Sequence, residues 1–242
     1  MKDSLFFGLG DLYKVGDDAL ATPGRFGTLQ DVSVDFSWNE KELQGQSGFP
    51  EAVARGAAKI SGKATSGRVN GQLFNELFFD GDIADGRTLI ARNEAATPEA
   101  ATFTVNVANA AKFDTDLGVR NAATGAPYLK VAAGSEAAGA YSVDPATGVY
   151  TFSDQTPVLI DYSYADDTGS TLTLNNKLQG PAPTFKLILR DEYEGEQSVM
   201  TLFACSSSKL SLPKKNEDFV MPEIDFAARA DAAGRVMTWS FA

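Results

Sequence analysis

No histidine occurs anywhere in the 242 residues. That excludes Ser-His-Asp and Cys-His catalysis, histidine-ligated zinc and the usual proton shuttle at physiological pH. Cysteine is nearly absent as well. Cys205 stands alone, so no intrachain disulfide can form, and cysteine-clustered zinc and iron–sulfur sites are excluded. Basic residues are the minority, 21 against 32 acidic ones, for a formal net charge of −11. Wrapping DNA needs a basic footprint, which this chain lacks. The same charge suits a surface that DNA must pass without sticking. No apolar run approaches the roughly 18 residues of a membrane span, so none is expected. The start, Met1 to Phe7, carries only a short apolar run, followed by Asp11, Asp17 and Asp18. It does not read as a signal peptide, and a soluble protein made in a reducing cytoplasm is the expectation.

What the chain does have is apolar content, 43%, and two-residue alternation. A chain of this length buries a large core without staples. Residues 1–26, rich in Gly, Asp and short polar stretches, read as an N-terminal arm. From there to residue 242 we expect a single β domain, with a loop-rich β insertion at about 82–139. Val32, Val34, Phe36 and Trp38 alternate with Asp31, Ser33, Asp35 and Ser37, the pattern of a strand with one buried and one wet face. Residues 39–51 read as a polar connection, long enough to suggest function. In the stretch from Ala57 to Thr65, Lys59, Ser61, Lys63 and Thr65 share one face, and Ile60, Gly62 and Ala64 the other. Small residues on that inner face imply close packing against something bulky.

The period then changes. Ser66 is placed to cap an amphipathic helix over about 66–79, with Val69, Leu73 and Leu77 as its stripe, widened by Phe74 and Phe78, and Asp80-Gly81 as its end. Residues 82–98 read as a loop. Strand signals follow at 102–107, 128–131, 140–143 and 149–153, the last two joined by a turn at Asp144–Gly148. Val158, Ile160, Tyr162 and Tyr164 mark another strand, Leu172 and Leu174 a further one, and Phe185, Leu187 and Leu189 the next. Residues 197–205 read as a central strand, apolar on both faces. Ile224, Phe226 and Ala228 alternate before a turn at 232–234 and a closing strand at 236–241, which together suggest a terminal hairpin. The expected class is mainly β, an antiparallel sandwich or split barrel with one helix.

Chemical motifs mostly fail. Gly8-Leu9-Gly10 lacks the rest of a dinucleotide fingerprint. Ser206-Ser207-Ser208-Lys209 has the spacing of penicillin-binding enzymes but not their partner motifs, and it follows a strand where they open a helix. Asp80, Asp82 and Asp85-Gly86 hint at a calcium loop, but the glycine is one place late and position twelve is Ala91. Asp191–Glu196 holds several carboxylates of the kind a glycosidase pairs, but it reads as a solvated turn between strands. Cys205 reads as a small buried hydrophobe, and Trp38 and Trp239 as core or interface residues. No catalytic residue, metal ligand or cofactor is assigned, and a structural role is expected ahead of an enzymatic one.

Three blocks of residues carry a resemblance. The first runs from Gly27-Thr28-Leu29-Gln30-Asp31-Val32-Ser33-Val34 through Lys41-Glu42-Leu43-Gln44-Gly45, Phe49-Pro50, Lys59 to Ala64 and Asn75 to Phe79. The second is Tyr141 to Asp144, Gly148 to Ser153, and Ile160 to Tyr164. The third is Lys209 to Leu212, Asp218-Phe219, Pro222 to Phe226 and Ala230 to Gly234. In this order they resemble the major tail tube proteins of long-tailed, siphovirus-like bacteriophages. The resemblance implies a β-sandwich or split-barrel subunit that forms hexameric rings. It implies that rings stack into a tube whose channel delivers the genome, a place in the virion tail, and synthesis in the bacterial host cytoplasm. The implied partners are other copies of the chain, a tape-measure protein, a tail-tip initiator, a terminator and chaperones, with DNA passing without sequence-specific binding.

On that reading the wet face lines the lumen, through Asp31, Ser33, Asp35 and Ser37, Lys59, Ser61 and Lys63, and Asp225, Arg229 and Asp231. Alternation alone reports burial, and the same face on a monomeric sandwich would simply be its outside. Contacts between rings or subunits are expected from the 39–51 connection, at Asn39, Glu40, Lys41, Glu42, Gln44, Gln46 and Phe49, together with the 1–26 arm. Two alternatives are another β-sandwich module of the tail, hub-like or adhesin-like, and a carbohydrate-active β-sandwich enzyme.

Overall fold

The computed structural model describes residues 5–16, 22–176, 178, 180 and 182–241. In chain order its strands begin with β1 (Asp11–Gly16), β2 (Gly24–Arg25), β3 (Leu29–Gln44), β4 (Pro50–Ser66) and β5 (Asp82–Ala96). They continue with β6 (Thr104–Asn106), β7 (Phe113–Asn121), β8 (Leu129–Lys130), β9 (Ala140–Val143), β10 (Val149–Thr151) and β11 (Val158–Thr173). The last are β12 (Phe185–Tyr193), β13 (Glu196–Ser211), β14 (Glu223–Arg229) and β15 (Met237–Ser240). The protein is mainly β with antiparallel sheets, and among the strand registers described only the short β8–β9 contact is parallel. It divides into two compact units, one formed by the chain up to Asp82 together with Leu174 onward, the other by Ile83–Thr173. The expected single domain from 27 to 242 is therefore two units, and the expected insertion at 82–139 extends to Thr173.

The first unit is built on an eight-stranded sheet in the order β2-β1-β12-β13-β14-β4-β3, with β15 also on β13. Its core face carries Leu12, Ala64, Phe185, Leu187, Leu202, Ile224 and Phe226, all buried. β13 is central, as its two-sided apolar sequence predicts. One of its edges pairs with β12; the other is shared end to end by β15, at Val199–Leu202, and β14, at Ala204–Ser211. The expected terminal hairpin is thus not formed, because the turn after β14 sends β15 to β13. The small inner face of β4 is explained by Phe226, since a Cβ at Gly62 would sit 2.4 Å from its ring.

The expected loose arm is also corrected where it is described. Residues 11–16 are a sheet strand, with Leu12 and Lys14 buried. Residues 1–4 and 17–21 of the expected arm lie outside the described residues. Lys14 points into the core, where burial of a lone ammonium would be costly. The Glu76 carboxylate pairs with it and also accepts from Gln72 Nε2 at 3.3 Å. Glu76→Ala should therefore cost about 2 kcal/mol in urea unfolding, discounted from a fully buried pair because Glu76 is partly exposed. Lys14→Met with Glu76→Leu should recover most of that loss.

The single long helix shrinks to α1 (Gly71–Phe74), which continues as one π-type turn, Asn75–Phe79. Asn70 is its cap, accepting from the Leu73 N–H at 3.1 Å. Ser66 ends β4 instead, its hydroxyl donating to the Gly27 carbonyl at 2.7 Å. Val69 falls outside the helix and is exposed, while Leu73, Phe74 and Leu77 do bury. The helix stops at Asp80, with φ 44 and ψ 42, and not at Gly81. The Asn75 side chain compensates for this left-handed residue, accepting from the Gly81 N–H at 2.7 Å and donating to its carbonyl at 2.9 Å.

The second unit holds a three-stranded sheet, β5-β11-β7, and a four-stranded one, β6-β10-β9-β8. The segment expected to be a loop at 82–98 is mostly β5, and the two strands expected between Val158 and Leu174 are one, β11. The predicted alternation holds in its first half, where Val158, Ile160 and Tyr162 are fully buried. The β9–β10 turn forms as expected, with Gly148 N–H donating to the Asp144 carbonyl at 2.8 Å. The core is aromatic: Phe113 stacks on Tyr162 at 5.9 Å and meets Tyr150 edge-on at 6.2 Å. The buried Tyr162 hydroxyl is satisfied, donating to Glu94 at 2.7 Å and accepting from Asn109 at 3.1 Å.

Candidate assembly surface

The wet face of the first unit's sheet follows from register. Asp31, Ser33, Asp35 and Ser37 lie opposite Thr65, Lys63, Ser61 and Lys59, and Lys63 in turn lies opposite Asp225. Arg229 is two pleats further along the same side of β14, opposite Ala204 of β13. The residues expected to line one surface are thus brought together on one face, with the exception of Asp231. That residue sits in the turn after β14, where the Arg235 backbone N–H, and then its guanidinium at 2.8 and 2.9 Å, hold the carboxylate below its usual pKa range.

Charges of the two signs face each other across this surface. Lys63 pairs with Glu223 at 3.1 Å, and Lys209 lies opposite Asp225. Such cross-strand pairs are weak singly, and here they set acids and bases side by side across the described strands.

The sheet does not stop where its core stops. β14 reaches only as far as Ile60 on β4, opposite Ala228. Beyond it, β3 and β4 continue alone as a two-stranded ribbon, exposed on both faces and closed by residues 45–49. The expected polar connection at 39–51 is therefore mostly paired strand. Asn39, Glu40, Lys41, Glu42 and Gln44 lie on one arm, and Gln46 and Phe49 in the turn. A bulge follows Trp38, and Arg55 then lies over the Trp38 ring, 5.2 Å from its centre. Trp38 is 48% exposed, so it is not a core residue.

A free two-stranded hairpin is marginal in water. This one also exposes Trp38, Leu43, Phe49 and Val53. Scattered exposed apolar residues need no explanation, but here Val53 on one face, Leu43 on the other and Phe49 in the turn are all gathered at the end of a projecting ribbon, which marks an interaction surface. Leu43 and Val53 are functional candidates that sequence reading missed. Neither carries a two-residue alternation: Leu43 ends the polar run Asn39-Glu40-Lys41-Glu42, and Val53 stands between two alanines.

The chemical motifs settle into structural places. Asp191–Glu196 spans the β12–β13 turn, with Glu194 and Gly195 both at positive φ. Cys205 is fully buried. Trp239 donates its indole N–H to Ser198 at 2.8 Å. Among the described residues, no group of three or more His, Cys, Asp or Glu side chains is placed to hold a metal. No helix of the described residues is long and apolar enough to cross a membrane. An open depression of about 480 Å³ is lined by Phe203, Arg229, Asp231 and Arg235 among others. Its carboxylate is engaged by Arg235, which also lies 4.3 Å from the Phe203 ring centre. Neither a family model nor a curated protein matches the chain.

Proposed function

We propose that the chain is a structural subunit that polymerises into a hollow tube, as its resemblance to major tail tube proteins implies. The observation that carries this reading is the β3–β4 ribbon, which runs on past its own core with apolar side chains exposed and both faces bare. A monomer gains nothing from such a ribbon. A second copy laid against it would bury those side chains, each worth about 1.5–3 kcal/mol when fully covered.

In this reading six copies close a ring, rings stack, and the mixed-charge sheet face lines the channel. Its balance of acid and base, on a chain of net charge −11, lets a genome pass without counterion release holding it to the wall. The protein then works in the virion tail after synthesis in the host cytoplasm. It acts as a scaffold and not as an enzyme, with a tape-measure protein, an initiator and a terminator setting the tube's length and ends.

Negative-stain electron microscopy across a concentration series is the test. The expected result is rings or tubes with a central channel above a threshold concentration. A monomer that persists to the solubility limit, with or without seeds of sheared polymer, overturns the proposal.

A further inference from the structure

Of the chain's asparagines, Asn70 alone is followed by glycine. That pair of residues has its own chemistry. The nitrogen of the following residue can attack the asparagine side-chain carbonyl, closing a five-membered succinimide ring and expelling ammonia. Water then opens the ring at either carbonyl. One product is aspartate. The other is iso-aspartate, in which the backbone runs through the side-chain carbon. Glycine favours the attack because no Cβ shields its nitrogen. Every other asparagine precedes a residue that carries one.

The fold leaves this peptide open. Residues 68–72 are all exposed, and a Cβ at Gly71 would meet nothing within 4 Å. Asn75, by contrast, is buried, with both ends of its amide bonded to Gly81. Yet Asn70 does not stand ready to react. Its Oδ1 accepts from the Leu73 N–H at 3.1 Å, and its carbonyl from the Phe74 N–H at 3.0 Å. At ψ 103 the Gly71 nitrogen lies on the far side of the Asn70 Cα–C bond from the side chain. Ring closure needs that bond to rotate, which breaks the start of α1. With four residues, α1 has little cooperativity of its own, and opening it is a local event.

We propose that the Asn70–Gly71 peptide is a site of spontaneous covalent modification, opened when α1 frays, and that its iso-aspartyl product unseats α1. The site owes nothing to the tube reading and is present in a monomer. Its two products differ in consequence. Aspartate keeps a side-chain oxygen where Asn70 has one, and it remains a good cap. Iso-aspartate lengthens the backbone by one carbon and moves the acceptor, so the Leu73 N–H loses its partner. α1 carries Leu73 and Phe74 into the core and leads into the turn that holds Glu76 on Lys14. Loss of the cap should therefore be felt in the stability of the first unit.

The test is to age the folded protein at mildly alkaline pH beside the same chain unfolded in guanidinium chloride. Trypsin releases Val69–Arg87, and fragmentation mass spectrometry locates any amide turned to acid and tells the two products apart. In the folded chain Asn70 should convert ahead of every other asparagine, but about tenfold or more slowly than in the unfolded one. Gly71→Ala should suppress conversion in both and still fold, since alanine is the better helix former. Aged protein rich in the iso-aspartyl form should lose its tryptophan fluorescence signal at a lower urea concentration, whereas Asn70→Asp should match the wild type. An Asn70 that stays an amide in the folded chain overturns the site. Equal rates in folded and unfolded chains overturn the gating by α1. Aged iso-aspartyl protein with the wild-type midpoint overturns the link between the cap and the core.

Discussion

Cutting the ribbon back to its base should leave a folded subunit that forms no tube at any concentration tested. The variant to make removes residues 39–57 and joins Trp38 to Ala58 through Asn-Gly. Those two residues already face each other, and Asn-Gly supplies the type I′ turn that a two-residue hairpin needs. Nothing removed belongs to either core cluster, so unfolding free energy should change by no more than about 0.5 kcal/mol. In the tube reading assembly should fail completely, because the cut removes the exposed apolar side chains of Leu43, Phe49 and Val53. Deleting only 40–49, as a loop reading would suggest, is the poorer experiment. It would strip the β3 arm from a paired ribbon and leave residues 50–55 as an unpaired edge, prone to nonspecific association. Electron microscopy and sedimentation of the Asn-Gly variant read the outcome. Tubes of normal appearance would remove the ribbon from the assembly mechanism.

How much of this was legible beforehand depended on whether a strand had a core beneath it. Val32, Val34, Ile60 and Ala64 alternate cleanly because one face is buried, and register then carried nearly all the proposed lining residues to one side. The same strands beyond Trp38 have no core. Their side chains are free to be charged on both faces, so Asn39-Glu40-Lys41-Glu42 shows no period of two although it is strand. β5 was hidden in the same way, with most of its residues exposed. The helix was legible as a stripe but not in its limits. Ser66 and Asn70 are both plausible caps, and only the tertiary bond from Ser66 to Gly27 decides between them. The partner of β15 was not legible at all. A turn sequence says that the chain reverses, not which strand it then joins. The division into two units escaped because both units have the same β composition.

Asp116 is where the largest loss of stability is expected. Its side chain is 5% exposed, inside the second unit. It accepts from Tyr141 Oη at 2.8 Å, Tyr150 Oη at 3.0 Å, the Gly118 N–H at 3.1 Å and Lys130 Nζ at 2.9 Å. Burial alone would raise its pKa. The four donors, Lys130 foremost, outweigh that and hold it below the usual carboxylate range. Burial, and then the neighbouring Asp116 carboxylate, push both tyrosine hydroxyls up.

The signs of these shifts set a pH window. A depressed carboxylate stabilises the fold above its unfolded pKa, about 4, and that contribution is lost as pH falls through the lower folded value. A raised phenol stabilises below its unfolded pKa, about 10, and that contribution is lost as pH climbs toward the folded value. The second unit should therefore hold its stability between about pH 4 and 10 and lose it outside. Asp116→Ala leaves two buried hydroxyls and an ammonium without their acceptor and should cost about 3–5 kcal/mol at neutral pH. Asp116→Asn keeps the shape and should cost less, while making the acid limb shallower, because the carboxylate at this position no longer titrates.

The chromophores separate the two units. Both tryptophans, Trp38 and Trp239, belong to the first, together with Tyr13 and Tyr193, whereas the other five tyrosines, Tyr128, Tyr141, Tyr150, Tyr162 and Tyr164, belong to the second and dominate the tyrosine signal. The core clusters of the two share no residue. In Asp116→Ala, near-ultraviolet tyrosine dichroism should be lost at a lower urea concentration than tryptophan fluorescence, splitting one transition into two. If both signals shift together, the units unfold as one cooperative body. If neither shifts, the carboxylate contributes nothing, and the tyrosine hydroxyls must find water as readily as they find Asp116.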